Sequence, residues 1–228
     1  MKNSLKRILS VFKAEKTGIL RNPRFLLMFI IMPITLLILM LIEKSPSNYL
    51  ILVLGTIMPP LMSTAAVIGE NKEGGVLNAL LFAGLKWYEY LIGIALAVGV
   101  FALLSVAAMG MILEASFETS MDYWLLFFAL CSILCSMIIG AIVGVVSTNQ
   151  SSISAVAVPV SLILLFAAIL GMNYKHVHNV TRLLYSQALI DMFIRGNANK
   201  SEGIVFGCNL LLAAIVFGYY YGKKRKKD

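Results

Sequence analysis

The stretch "STAAVIGENKEGGVLNALLFAG", Ser63–Gly84, interrupts a long apolar run with Glu70-Asn71-Lys72-Glu73-Gly74-Gly75 and then resumes at helical spacing. On both sides of it the chain is too apolar for a domain that faces water. Of 228 residues, 60% are hydrophobic and 13% charged, where a soluble domain carries about 25% charged residues. The chain therefore reads as an all-α integral membrane protein, and the short charged segment as a connection between two crossings.

A crossing helix needs about 20 apolar residues. Charge-free runs place six: Phe25–Ile42, Ser45–Gly69, Tyr90–Leu113, Tyr123–Val146, Ile153–Met172 and Gly203–Gly222. The fourth and fifth come from one stretch divided by the polar cluster Ser147–Ser152. An even number of crossings puts both termini on one side. All of the 19 Lys and Arg residues except Lys44, Lys175, Arg182, Arg195 and Lys200 fall on that side, so the termini are expected in the cytoplasm and residues 173–202 outside. The formal charge of +8 follows from this topology and calls for no nucleic acid; membrane lipids are the expected surroundings. The N-terminal residues 1–24 lack the apolar core of a signal peptide. Leu5, Ile8, Leu9 and Phe12 recur at three- and four-residue steps, with Lys6, Lys13 and Lys16 off that stripe. This predicts an amphipathic helix lying in the inner interface, ended by Asn22-Pro23.

No span carries Asp, Glu, Lys, Arg or His in its interior, the residues that mark proton-coupled and many ion pathways. His176 and His178 lie in the outer loop, so no Ser–His or paired-carboxylate site is expected at membrane depth. Cys131, Cys135 and Cys208 fall within spans and lack metal-ligand spacing. The pattern GxxxxGK[ST] is absent, so the chain has no P-loop, and ATP hydrolysis is expected only in a partner. The chain itself is expected to be neither an enzyme nor the holder of a cofactor or metal. Cys131, Cys135, Ser136, Gly140 and Gly144 form a small-residue ladder along the fourth span, which predicts close packing within one subunit.

Beyond Gly74-Gly75, the residues Val76, Leu77, Leu80 and Leu81 fall on one helical face, and Gly84 ends the segment. A short helix at the inner membrane surface fits, followed by the interfacial run Lys86-Trp87-Tyr88-Glu89-Tyr90. Glu70-x-x-Glu73-Gly74-x-Val76-Leu77-x-x-Leu80-Leu81, with Trp87-Tyr88-Glu89-Tyr90-Leu91-Ile92-Gly93 after it, resembles the signature of type-2 ABC transporter permeases, an exporter family. That pattern runs E-x-x-x-G-T-L-x-x-L-L-x-x-P and continues into a segment like eyLiGK. Arg21-Asn22-Pro23-Arg24 before the first span and Leu184–Gly196 before the last are similar to further family segments. Val76 stands in place of the family's Thr, Gly84-Leu85-Lys86 in place of its small-Pro turn, and Ile94 in place of its Lys; the outer segment lacks its proline.

The resemblance implies six transmembrane helices, an N-terminal interfacial helix and a cytoplasmic coupling helix between the second and third spans. It implies a half-transporter, in which a second copy or a related permease completes the pathway above two cytoplasmic P-loop ATPase subunits that hold the ATP and Mg. Glu70–Gly84 would be the coupling helix, with Glu70, Asn71, Lys72, Glu73, Gly74, Gly75, Val76, Leu77, Leu80 and Leu81 at the ATPase. The outer segment Asn173–Glu202 would dip back and cap the pathway; a surface amphipathic helix is the other reading of it.

Pro33, Pro59, Pro60 and Pro159 fall in the first, second and fifth spans, and proline loosens helices that must part and reclose. These spans, with Thr35, Thr56 and Ser161, are expected to face a pathway shared by two permeases. Charge-free spans rich in Met and Phe favour an amphipathic or hydrophobic cargo (peptide, toxin or drug) exported across the plasma membrane of a bacterium. Two other functions remain open: a secondary transporter or channel subunit working without an ATPase, and a non-transporting assembly protein.

Overall fold

The computed structural model describes residues 2–42, 49–117, 123–147, 149–195 and 200–225. Their regular structure is entirely helical, in ten helices: α1 (Lys2–Arg21), α2 (Pro23–Ile42), α3 (Tyr49–Glu73), α4 (Val76–Phe82), α5 (Trp87–Phe117), α6 (Tyr123–Val146), α7 (Gln150–Asn173), α8 (Lys175–Thr181), α9 (Tyr185–Arg195) and α10 (Lys200–Arg225). Six of these, α2, α3, α5, α6, α7 and α10, are long and apolar enough to cross a membrane. The chain is a multi-pass membrane protein of the all-α class. Residues 45–48 of the expected second span, Thr148 of the polar divider, 196–199 of the outer segment and 226–228 of the tail lie outside the described residues.

Helix ends follow from local chemistry. Pro23 occupies the first position of α2, where its missing N–H costs nothing, and the Asn22 side-chain oxygen accepts from the Arg24 amide at 3.1 Å. The polar divider is a capping box: Asn149 Oδ1 accepts from the Ser152 amide at 2.9 Å, and Ser152 Oγ accepts from the Asn149 amide at 3.2 Å. The second span does not stop at Gly69, where its charge-free run ends. It continues to Glu73, because leaving the apolar layer changes which side chains suit a helix without ending the helix.

The hub is α3, the most buried of the six spans, packed against α6 above all and also against α7, α5 and α2. The glycines of α6 make that contact possible. A Cβ at Gly140 would run into the Leu61 carbonyl, and one at Gly144 would lie 2.9 Å from Ile68 Cβ and 3.0 Å from the Ala65 carbonyl oxygen. Hydroxyls pin the helices: Thr56 Oγ1 and Ser132 Oγ are 3.0 Å apart, and Ser105 Oγ donates to the Phe29 carbonyl at 2.7 Å. The small-residue ladder thus packs within the chain, as expected.

α1 lies along α5, where a Cβ at Gly93 would come within 2.5 Å of Val11 Cγ1 and 3.2 Å of the Ile8 carbonyl oxygen. Its inward face is rotated from the expected stripe. Ile8 and Phe12 turn inward together with Val11 and Ile19, while Leu5 and Leu9 stay exposed. At the opposite end of the bundle, α9 is wedged between spans and packs on α3, α6, α7 and α10. Residues Tyr185 to Ile190 are all buried. Tyr185 Oη is 3.0 Å from Ser136 Oγ, and the Tyr49 and Phe193 rings stack at 6.0 Å. α9 is thus inserted between the spans and does not lie on the surface. Asp191 gathers polar partners there, accepting from Gln187 Nε2 at 2.9 Å with His178 Nε2 at 3.7 Å and Arg195 at 3.9 Å.

Candidate functional site

The residues of the opening stretch meet at the end of the bundle that carries α1, α4 and the α6–α7 connection. Successive residues of a helix point about 100° apart, so the last turn of α3 reaches in several directions. Lys72 Nζ donates to the carbonyls of Val145, at 3.1 Å, and Ser147, covering the negative end of α6. Glu73 accepts from the Gln150 backbone amide and Glu70 from the Gln150 side-chain amide at 3.1 Å, which puts acids at the positive start of α7. Asn71 Nδ2 donates both to Glu15 Oε1 at 2.7 Å and to Tyr90 Oη at 2.8 Å, tying α1 and α5 to α3. Burial pushes the Glu15 carboxyl above the ordinary carboxylate range, the Asn71 amide opposes this, and the nearby Glu70 charge adds to it. Glu70 and Glu73, expected at the ATPase, are thus engaged within the chain at the start of α7. They belong to a bracket that holds α5, α6 and α7 by their ends and α1 along its length.

What projects from this bracket is α4, seven residues between two glycines in the left-handed region, Gly75 at φ +68° and Gly84 at φ +84°. A side chain at either position would strain the backbone. Gly74 has no such conformation. Leu77 is buried and Leu80 half-buried, whereas Val76 and Leu81 are exposed. Phe82 is 92% exposed. Sequence reasoning missed it, because it lies off the three- and four-residue stripe; the available signal was a large aromatic in an otherwise small connection. The clamp on α4 comes from α1: Arg7 Nη1 donates to the Gly84 carbonyl at 2.5 Å and lies 3.7 Å from Glu89, whose carboxylate accepts from the Lys86 amide at 3.0 Å. Between α1 and α4 runs a groove of about 400 Å³ lined by Lys6, Arg7, Glu15, Val76 and Leu80.

A scan of protein-family models and a search of curated proteins find no match for this chain.

The expected pathway residues do not share a face. Thr35 and Pro159 are exposed and Pro33 half-buried, while Thr56, Pro59, Pro60 and Ser161 are buried. The reason is the position of α3 as the hub: its polar Thr56 is turned to Ser132 of α6 and donates to the Val53 carbonyl at 2.8 Å. From Leu52 to Gly69 only every fourth residue, Leu54, Met58, Met62 and Ala66, is half-buried. Among the described residues, no three His, Cys, Asp or Glu side chains converge as a metal site requires.

Proposed function

We propose that this chain is the membrane-spanning half of an ATP-driven exporter, a type-2 ABC permease that pairs with a second copy or a relative above two cytoplasmic P-loop ATPases. The observation that carries this reading is α4, a short helix between two left-handed glycines, seated on the bundle through Leu77 and presenting Phe82 almost completely. A large exposed aromatic on a fixed element is the kind of group that anchors a protein interface. Force applied there has a route inward. Gly75 joins α4 to the last turn of α3, and that turn holds the ends of α5, α6 and α7 and the body of α1 through Lys72, Glu70, Glu73 and Asn71.

On this reading the contact to the ATPase is made by Val76, Leu81 and Phe82, and the acids act behind them by fixing the helix ends. The pathway between two permeases would follow the half-buried stripe Leu54–Met58–Met62–Ala66 of α3, with Thr35 and Pro159 on the flanking α2 and α7. Methionine and leucine along that stripe suit an amphipathic or hydrophobic cargo. ATP and Mg would be held by the partner.

The test is to purify the tagged full chain from its native membrane in mild detergent, identify co-purifying P-loop polypeptides, and measure Mg-dependent ATP hydrolysis. The expected result is hydrolysis that accompanies the chain and is lost with Phe82→Asp, while the variant still inserts. Hydrolysis absent from the wild type, or indifferent to Phe82→Asp, would sink the proposal.

A further inference from the structure

The bundle uses only one of the two apolar faces of α1. Ile8, Val11, Phe12 and Ile19 turn inward together with Glu15, whose carboxyl meets Asn71. Roughly a third of a turn round the helix, Leu5, Leu9 and Leu20 stay 63%, 44% and 50% exposed. Lys6, Lys13 and Lys16 are exposed on the same sector, so three leucines and three lysines share about 100° of arc. Glu15 is the one acid of α1, and it points away from that sector. Among the described residues, none of the three lysines makes an ion pair. Arg7 differs, being committed to the Gly84 carbonyl and to Glu89 on another flank of the helix.

Exposed leucines interleaved with unpaired lysines suit a surface that offers hydrocarbon and negative charge together. The next helix says what lies beside them. α2 begins at Pro23, directly after Asn22, and exposes Leu27, Ile30, Ile31 and Ile34, the surface that a crossing helix turns to lipid. Leu20 therefore sits where headgroups meet acyl chains, and the outer sector of α1 continues the lipid-facing side of α2. A protein partner would call for a different composition, since leucine is under-represented among the residues that anchor protein interfaces and aromatics such as the Phe82 ring on α4 are favoured. We infer that this outer face of α1 is a binding surface for anionic phospholipid. The leucines enter the acyl boundary, the lysine stems lie along them, and the ammonium groups reach the headgroups. A zwitterionic lipid supplies the same hydrocarbon without net charge, so the lysines set the preference. One such cation at an anionic surface is worth about fivefold in binding. The surface needs no ATPase and no second copy of the chain.

The experiment attaches a fluorophore at Leu9→Cys in the full chain, with only the exposed Cys208 replaced by alanine because Cys131 and Cys135 are buried. The protein is placed in nanodiscs of mixed phosphatidylglycerol and phosphatidylcholine, with bromine on the acyl chains of one lipid or the other, and quenching reports which lipid lies beside the probe. Both leaflets of a nanodisc offer the same lipids, so the result does not depend on the orientation of α4 or on any partner. The comparisons are the same probe at Ile215→Cys, on the exposed face of α10, and the Leu9→Cys chain carrying Lys6→Gln, Lys13→Gln and Lys16→Gln, all three exposed and so tolerated by the fold. The Leu9 probe should be quenched by both lipids, with phosphatidylglycerol preferred by about fivefold or more. The preference should be near one at Ile215, fall to near one in the triple variant, and survive free glycerol phosphate in the buffer. No quenching by either lipid would put this face in water or against a protein and overturn the assignment. Equal preference at Leu9 and Ile215, a preference untouched by the triple variant, or one abolished by glycerol phosphate, the mark of a soluble-phosphate site, would overturn it as well.

Discussion

A single methyl group tests the α3–α6 contact. At Gly140 it would meet the Leu61 carbonyl, which is backbone and cannot rotate away, whereas at Gly207 nothing lies within 4 Å. Gly140→Ala should therefore lower stability by about 1–3 kcal/mol, the usual cost of overpacking. Gly207→Ala should be neutral or mildly stabilising, since alanine favours a helix by up to about 1 kcal/mol. Thermal unfolding in detergent separates the two, and equal shifts would contradict the packing described. Glu15 makes a prediction about pH. Burial raises its folded-state pKa, so the fold favours the protonated acid, and this contribution is full below the ordinary Glu pKa and lost as pH rises through the raised value. Glu15→Gln keeps an oxygen for Asn71 and should be more stable than wild type at neutral pH, with a flatter dependence on the acid side. A variant less stable than wild type at pH 7 would mean that the ionised carboxylate is what holds Asn71.

Among the elements, the bracket at the end of α3 and the projecting α4 are adjacent in sequence but should respond to mutation differently. Lys72→Met strips a charged donor from the end of α6, and hydrogen bonds to charged groups are worth about 1.5–3 kcal/mol, so stability should fall by roughly that amount. Phe82→Ala removes an exposed ring and should change stability by less than about 0.5 kcal/mol. Thermal or denaturant unfolding of both variants checks this, and a large loss for Phe82→Ala would place that ring in the fold instead of at an interface. The charge-free runs were enough to read the six spans, because length and apolarity decide a crossing helix. The glycine brackets of α4 were also legible, since only glycine takes φ near +70° to +85° without strain. The partners of Glu70, Asn71 and Lys72 were not, because they lie on other helices far away in the chain, beyond the single turn that spacing arguments reach. Thr56 misled for a related reason. A polar residue in a span suggests a pathway until a hydroxyl such as Ser132 is found opposite it. The stripe on α1 shifted because two surroundings, bilayer and bundle, compete for its apolar residues, and sequence alone does not rank them.

At the scale of the whole molecule, the two ends of the bundle differ in what they present. At the α9 end, inserted aromatics and the Asp191 cluster fill the space between spans. At the α4 end, α1 and the last turn of α3 collect the helix termini around a helix that presents Phe82. The excess of Lys and Arg on that second side predicts, by the positive-inside rule, that α4 faces the cytoplasm. With that orientation, we propose that α4 docks on an ATPase through Phe82. The most direct measurement places a cysteine at Phe82 in a chain whose Cys131, Cys135 and Cys208 are replaced by alanine, and treats native membranes with a short bifunctional reagent. The account predicts no reaction with impermeant thiol reagents added outside intact cells, and, in opened membranes, a crosslink to a P-loop ATPase that a control cysteine at Val180 does not form. Labelling of the Phe82 position from outside, or no ATPase adduct from a correctly inserted chain, would contradict it.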